Sequence, residues 1–305
     1  MKPPRFPLWI TDCLALLVTL SPCHLVTLSS SAAGEPANPL FKQLRGEGVV
    51  VTKDTKVPLP VPLMTDGLDA AGQRAVLETL VGKRFTVRDF TARIGTAPHV
   101  YAIHKIAVPG TDAPRALGID VSFIAYGSLE TVSSRDFLEN LHKKSKDRQI
   151  HILNETELEK RKLTAESSKQ REERYSHGVF IVLERVELRA ALHTIVTRQP
   201  DSLLAATRVD PRFAKDTDFP NQWRKITMDE EGQRKLGPAH PYHGAGGYLK
   251  ITRLHEPKGA LFVEYHIVYT EPKGWFSGAD PLTTKLPAIL QSEVRTFRQE
   301  LNRVK

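Results

Sequence analysis

The chain has 305 residues, of which 40% are hydrophobic and 26% charged, and it carries a formal net charge of +8. This length and composition are typical of a globular protein with a substantial core, and they exclude a wholly disordered or fibrous chain. The positive charge favours partners that are anionic.

The first 33 residues have the pattern of a signal peptide. Lys2 and Arg5 precede a short apolar stretch over 8–20, and small residues around Ser31-Ala32-Ala33 form a cleavage site. We therefore expect export to the periplasm, the cell envelope or the extracellular medium. The apolar stretch is short and contains Asp12, and an uncleaved membrane anchor is the alternative.

The two cysteines of the chain, Cys13 and Cys23, both lie inside this predicted signal peptide. The predicted mature domain therefore has no disulfide, no thiol nucleophile and no cysteine metal cluster. Export also makes nucleic acid the least expected anionic partner. An anionic membrane surface and an acidic polysaccharide remain as candidate partners, and a soluble surface with a modest excess of lysine and arginine is the alternative interpretation of the charge.

Proline is frequent over residues 34–66, which we predict to be an extended segment with one edge strand at Val49-Val50-Val51. Residues 67–305 are predicted to form a single α+β domain. The domain begins with a helix from Asp66 to Leu80, because apolar residues recur there at helical spacing and Gly82 follows.

The period of the pattern changes to two after this helix. Alternation over 100–108 and again over 119–126 predicts an antiparallel pair of strands. A short helix is predicted over 135–144, behind a cap at Ser133-Ser134. Residues 155–174 are highly charged, and we expect a surface excursion there, either a solvated helix or a mobile loop.

The C-terminal half is again rich in predicted strands, over 178–197, 202–209, 248–254 and 260–270. The last of these places Leu261, Val263, Tyr265, Ile267 and Tyr269 on one face. We expect that face to turn inward, and we expect the opposite face, with Glu264 and His266, to face solvent. A final amphipathic helix is predicted from Leu286 to Arg303, with Arg295, Arg298 and Glu300 pointing outward.

Residues 200–303 resemble the C-terminal part of START-like, or helix-grip, domains. The resemblance is carried by the strand 263–269, the turn 271–276 and the helix 286–301. In that family a curved antiparallel sheet folds around a long C-terminal helix, and an apolar ligand lies between them. The resemblance implies that this chain holds a hydrophobic ligand, against Tyr265, Tyr269, Trp275, Phe276 and Phe297.

Chemistry elsewhere in the sequence is sparse. His240 and His243 are three positions apart, but no third zinc ligand lies near them in the sequence. Glu264 and His266 share one strand face and would form a general acid–base pair only if both lined a cavity. We predict no catalytic residue, metal or cofactor, and the leading hypothesis is an exported, non-enzymatic binding protein. A hydrolase or cyclase-like enzyme using Glu264, His266 or His243 is one alternative, and an envelope-associated adaptor is another. The sequence gives no indication of oligomeric state.

Overall fold

The computed structural model describes residues 38–52, 54–110, 115–134, 137, 148–276 and 281–303. The predicted signal peptide at 1–33 lies outside the described residues, as does nearly all of the helix predicted over 135–144. The described helices, in chain order, are α1 (Pro39–Gly46), α2 (Ala70–Val81), α3 (Val87–Phe90), α4 (Leu129–Val132), α5 (Glu155–Glu159) and α6 (Pro281–Arg303).

Thirteen strands are described, and the last of them is buried along its whole length. In chain order they are β1 (Val49–Val50), β2 (Lys56–Val57), β3 (His99–Ile106), β4 (Arg115–Tyr126), β5 (Arg148–Ile152), β6 (Arg171–Val182), β7 (Val186–Arg198), β8 (Ser202–Val209), β9 (Gln222–Met228), β10 (Arg234–Leu236), β11 (His240–Pro241), β12 (Ala245–Arg253) and β13 (Ala260–Glu271).

Eleven of these strands form one large antiparallel sheet. Its main path runs β3-β4-β13-β12-β8-β7-β6-β5, and every neighbouring pair is antiparallel. Strand β9 pairs with the first residues of β7 and carries β10 and β11. The predicted pairing of the first two long strands, β3 with β4, is confirmed.

Helix α6 packs on one face of this sheet, which we call the inner face. Its apolar stripe is buried as predicted and joins the inward side chains of β13 and β4 in one core. The stripe consists of Leu286, Ile289, Leu290, Val294, Phe297 and Leu301. The architecture is therefore a large antiparallel sheet with a C-terminal helix, in agreement with the α+β, helix-grip class expected from the sequence.

The outward orientation predicted for Arg298 and Glu300 is wrong, because both side chains are buried. The Arg298 guanidinium donates hydrogen bonds to the carbonyl oxygens of Ile124, Ala97 and Pro98 at 2.8, 2.7 and 3.2 Å. Burial lowers the pKa of Arg298 to about 10, so the group is still a cation at neutral pH. Arg298 therefore anchors α6 to β4 and to the loop before β3.

The opposite, outer face is covered by the N-terminal elements. Residues 34–66 were predicted to be extended. That prediction is wrong for part of the segment, because α1 forms within it. Asn38 caps this helix by accepting from the Phe41 amide at 3.0 Å, and its side-chain amide donates to the Ile195 carbonyl of β7 at 2.7 Å. Phe41 is fully buried against Tyr248 of the outer face. The predicted edge strand forms as β1, paired with β2.

Two further boundaries differ from the predictions. Helix α2 begins at Ala70 with Asp69 as its cap, four residues after the predicted start, and Gly82 ends it as expected. The charged segment 155–174 is not a solvated excursion throughout. Leu158 and Leu163 pack on the outer face, and residues 171–174 belong to β6. Within the part of the chain that the structure describes, no helix is long and apolar enough to span a membrane.

Candidate ligand-binding site

The inner face places four of the five predicted site residues in one core. Tyr265, Tyr269, Trp275 and Phe297 are buried and belong to the cluster that includes the apolar stripe of α6. Phe276 is only partly buried and packs against the rim of that cluster. The tyrosine side of β13 therefore faces inward, as the alternation of the sequence predicts.

Aromatic rings cluster at two separate places on this core. At the first, Trp275 stacks on Tyr242 at 5.8 Å and meets Trp223 edge-on at 6.2 Å between ring centroids. At the second, Phe297 of α6 meets Phe123 and Phe137 edge-on at 5.3 and 5.2 Å. Such edge-on pairs add specific geometry to the burial of large apolar area.

Small side chains line the inner face of the central strands. Alternation along these strands fixes which residues point to the same side as the core. They include Ala190 and Thr194 of β7, Ala205 and Thr207 of β8, and Gly247 of β12. Among the described strands, α6 packs most extensively on β4 and β3, at one side of the sheet. Larger apolar side chains of the same strands share this face, so its centre is of mixed side-chain size: Leu188, Leu192, Val196, Leu203, Leu249 and Ile251.

A polar row crosses this centre. Arg174 lies directly opposite Thr194 in the β6–β7 register, and Thr194 lies opposite Thr207 in the β7–β8 register. The two threonine hydroxyls are 2.8 Å apart and buried. Arg174 is 6% exposed, and its Nη2 lies 3.2 Å from Glu172 Oε1. The inner face is therefore apolar with one buried cationic edge.

Sequence reasoning missed Arg174, because it was assigned to the charged excursion. The sequence did contain a signal for it. The alternation of the predicted strand extends upstream to Arg174, and its members on this side are Arg174, Ser176, Gly178, Phe180 and Val182. Phe180 and Val182 belong to the inner core. Burial, offset in part by Glu172, lowers the pKa of Arg174 to about 10. The guanidinium is therefore charged at neutral pH.

Glu264 and His266 are not on a solvent-facing side, and that prediction is wrong. Both are buried on the outer face, beneath the segment that precedes α2. Glu264 accepts hydrogen bonds from the Leu63 and Met64 amides at 2.7 and 3.2 Å, and Lys250 Nζ donates to the Met64 carbonyl at 2.6 Å. These contacts fasten the N-terminal layer to the sheet.

His266 completes this outer network. Its Nδ1 lies 2.7 Å from Asp120 Oδ1, and its Nε2 lies 3.8 Å from Glu264 Oε2. Asp120 also bonds His104 at 2.7 Å. Burial alone would lower the pKa of His266, but the hydrogen bonds and charges of Asp120 and Glu264 outweigh burial and raise the pKa. This network and the inner-face tyrosines lie on opposite faces of the sheet.

The loop histidines His240 and His243 have no metal-site partners among the described residues around them. His240 stacks on Trp223 at 4.6 Å between ring centroids, and His243 follows β11 in the turn toward β12. Among the residues that the structure describes, no group of three or more His, Cys, Asp or Glu side chains is placed to hold a metal ion.

Comparison with solved structures finds weak likenesses to several proteins, among them the following two. The human StarD13 (DLC2) lipid transfer and protein localization domain is 12% identical, over 65% of this chain and 89% of that domain, with a TM-score of 0.36. A conserved protein from Geobacillus kaustophilus is 12% identical, over 61% of this chain and 95% of that protein, with a TM-score of 0.26. No family model and no curated protein matches the chain.

Proposed function

We propose that this protein binds a hydrophobic, lipid-like molecule between the inner face of the sheet and α6, and that it does so without catalysing a reaction. The observation that supports this most is the composition of the inner face. Small residues such as Ala190, Ala205 and Gly247 line its centre, and aromatic residues such as Trp275 and Phe297 flank it. Ligand sites of this kind are mostly apolar with a few polar groups.

The positions of Glu264 and His266 support the enzyme alternative less well than the inner face supports ligand binding. Glu264 and His266 lie on the outer face, where their polar atoms contact Asp120 and the Leu63 and Met64 amides. A general acid or base must come within hydrogen-bond reach of a substrate. Their contacts suit a structural role in holding the N-terminal layer.

A fluorescent probe tests the binding proposal. We expect the methyl ester of 11-(dansylamino)undecanoic acid to bind the full chain with a stoichiometry of one, and to accept excitation energy from Trp223 and Trp275. Ala205→Leu adds bulk at the centre of the inner face. We expect this variant to bind the ester about tenfold more weakly, while its free energy of unfolding changes by less than about 1 kcal/mol.

Ala75→Leu is the matched control, because it makes the same change on an exposed part of α2. It should leave both affinity and stability unaltered. If side chains fill the inner face completely, Ala205→Leu should instead cost about 1–3 kcal/mol in stability. That result, together with an absence of probe binding by the unsubstituted chain, would contradict the proposed function.

We also propose export, on the strength of the signal-peptide pattern over 1–33. Expression of the tagged chain in its host, followed by fractionation and N-terminal sequencing, tests this. A mature chain beginning near Gly34 outside the cytoplasm is the expected result, and an uncleaved cytoplasmic chain is the contrary one.

A further inference from the structure

We infer that the ligand is an amphiphile with an anionic head group, and that Arg174 binds this head group at the β6 side of the inner face. The inference rests on the proposed function and adds the chemical class of the molecule. A carboxylate and a phosphate share the required chemistry, because both accept charge-assisted hydrogen bonds from a guanidinium.

The first argument is the state of the Arg174 side chain. It is buried, yet its Nε has no hydrogen-bond partner in the part of the chain that the structure describes. A buried donor without an acceptor is costly, and of the described arginines whose Nε lacks a partner, Arg174 is the one whose whole side chain is buried. An acceptor supplied by a ligand would satisfy this group.

The second argument is the local balance of charge. Glu172 lies 3.2 Å from Arg174 and 2.9 Å from Arg198, so two guanidinium groups share this carboxylate. An anion beside Arg174 would place a second negative charge next to the buried guanidinium. Removing a charge from water without compensation is costly, which favours an anionic partner over a neutral one.

The third argument is the position of Arg174 relative to the rest of the inner face. The hydroxyls of Thr194 and Thr207 lie next to it in register and can contact the same head group. Strand β6 is separated from β13 by β7, β8 and β12, which at about 4.8 Å per strand is roughly 19 Å. An alkyl tail starting at Arg174 could therefore run past the small central residues toward Tyr265.

The test compares two probes that differ only in charge, 11-(dansylamino)undecanoic acid and its methyl ester. We expect the full chain to bind the acid more tightly. Arg174→Gln should weaken binding of the acid by about ten- to a hundredfold and change binding of the ester by less than about twofold. Arg174→Lys, which keeps the charge, should recover part of the loss.

Arg171→Gln is the matched control. Arg171 lies on the same strand but on the outer face, where it pairs with Glu173 at 3.2 Å. It should leave the affinity for both probes unchanged. Displacement of the acid probe by oleate or by oleoyl lysophosphatidate then tells whether the natural head group is a carboxylate or a phosphate, and either result supports the inference.

Two outcomes would overturn the inference, and they are distinguishable. If acid and ester bind equally well and Arg174→Gln affects neither, the anionic head group is wrong while the proposed function stands. If neither probe binds the unsubstituted chain, the proposed function fails together with the inference. Circular dichroism spectra and unfolding midpoints of each variant show whether a loss of binding reflects a loss of fold.

Discussion

His177 is a buried group whose ionisation should be visible in the stability of the whole chain. It lies on the outer side of β6, with its ring 5.3 Å from that of Phe219. Burial lowers its pKa to about 4, and it is the unfolded state that takes up the proton first as the pH falls. The contribution of neutral His177 to stability is therefore complete above about pH 6.5 and is lost as the pH falls toward 4.

We predict that His177→Phe removes this pH dependence. Between pH 7 and pH 4.5 the free energy of unfolding of the unsubstituted chain should fall by about 2 kcal/mol more than that of the variant, as measured by urea denaturation. Equal slopes for the unsubstituted chain and His177→Phe would show that His177 is not buried in its neutral form.

Individual residues also show where sequence reasoning succeeds. Tyr265 and Tyr269 lie on the inner face because alternation along a strand fixes which side chains share a side. Alternation does not reveal whether the other side is covered. Glu264 is buried by Leu63 and Met64, about 200 positions earlier in the chain. No local pattern contains a contact of that range, and the solvent-facing prediction for Glu264 and His266 failed for this reason.

At the scale of elements, α6 owes its position to more than its apolar stripe. Arg298 donates to one carbonyl oxygen of β4 and to two in the loop before β3. Its guanidinium also lies 5.7 Å from the centre of the Phe123 ring, which belongs to the inner face. Arg298 therefore couples the docking of α6 to the aromatic cluster around Phe297.

We predict that Arg298→Met destabilises the chain by about 3 kcal/mol, because it leaves buried carbonyl oxygens without donors while it preserves most of the packing volume. The midpoint of chemical denaturation measures this change. Arg295→Met makes the same substitution on the exposed side of the same helix and should change stability by less than about 0.5 kcal/mol. Similar values for the two variants would mean that α6 is held by its apolar stripe alone.

The elements themselves could be predicted unequally well. Strand β13 and helix α6 have long, unbroken periodicity. Strand β13 appears close to its predicted bounds, and α6 ends at Arg303 as predicted but begins at Pro281, five residues before its predicted start. Helix α1 was missed because the prolines of residues 34–66 suggested an extended chain. Pro39, the one proline in α1, lies in the first helical turn, where the backbone N–H that proline lacks would have no partner within the helix. The start of β6 was missed because its charged residues suggested a solvated surface, although Arg174 is buried.

The whole molecule is a sheet covered on both faces, and the two coverings differ in character. The outer face is fastened by specific polar contacts to the N-terminal layer, through Asn38, Glu264 and Lys250. The inner face meets α6 mainly on one side and carries small residues at its centre. This asymmetry is the reason to place a ligand on the inner face rather than beneath the N-terminal layer.

The placement of the ligand on the inner face is tested most directly by photo-crosslinking. The full chain is crosslinked with a diazirine-bearing palmitate, and the labelled residues are mapped by mass spectrometry. We expect the labels to fall on inner-face residues of β7, β8 and β13 and on the buried stripe of α6. Two results would contradict this placement. One is labelling confined to the outer layer of residues 39–90, and the other is labelling that an excess of oleate does not reduce.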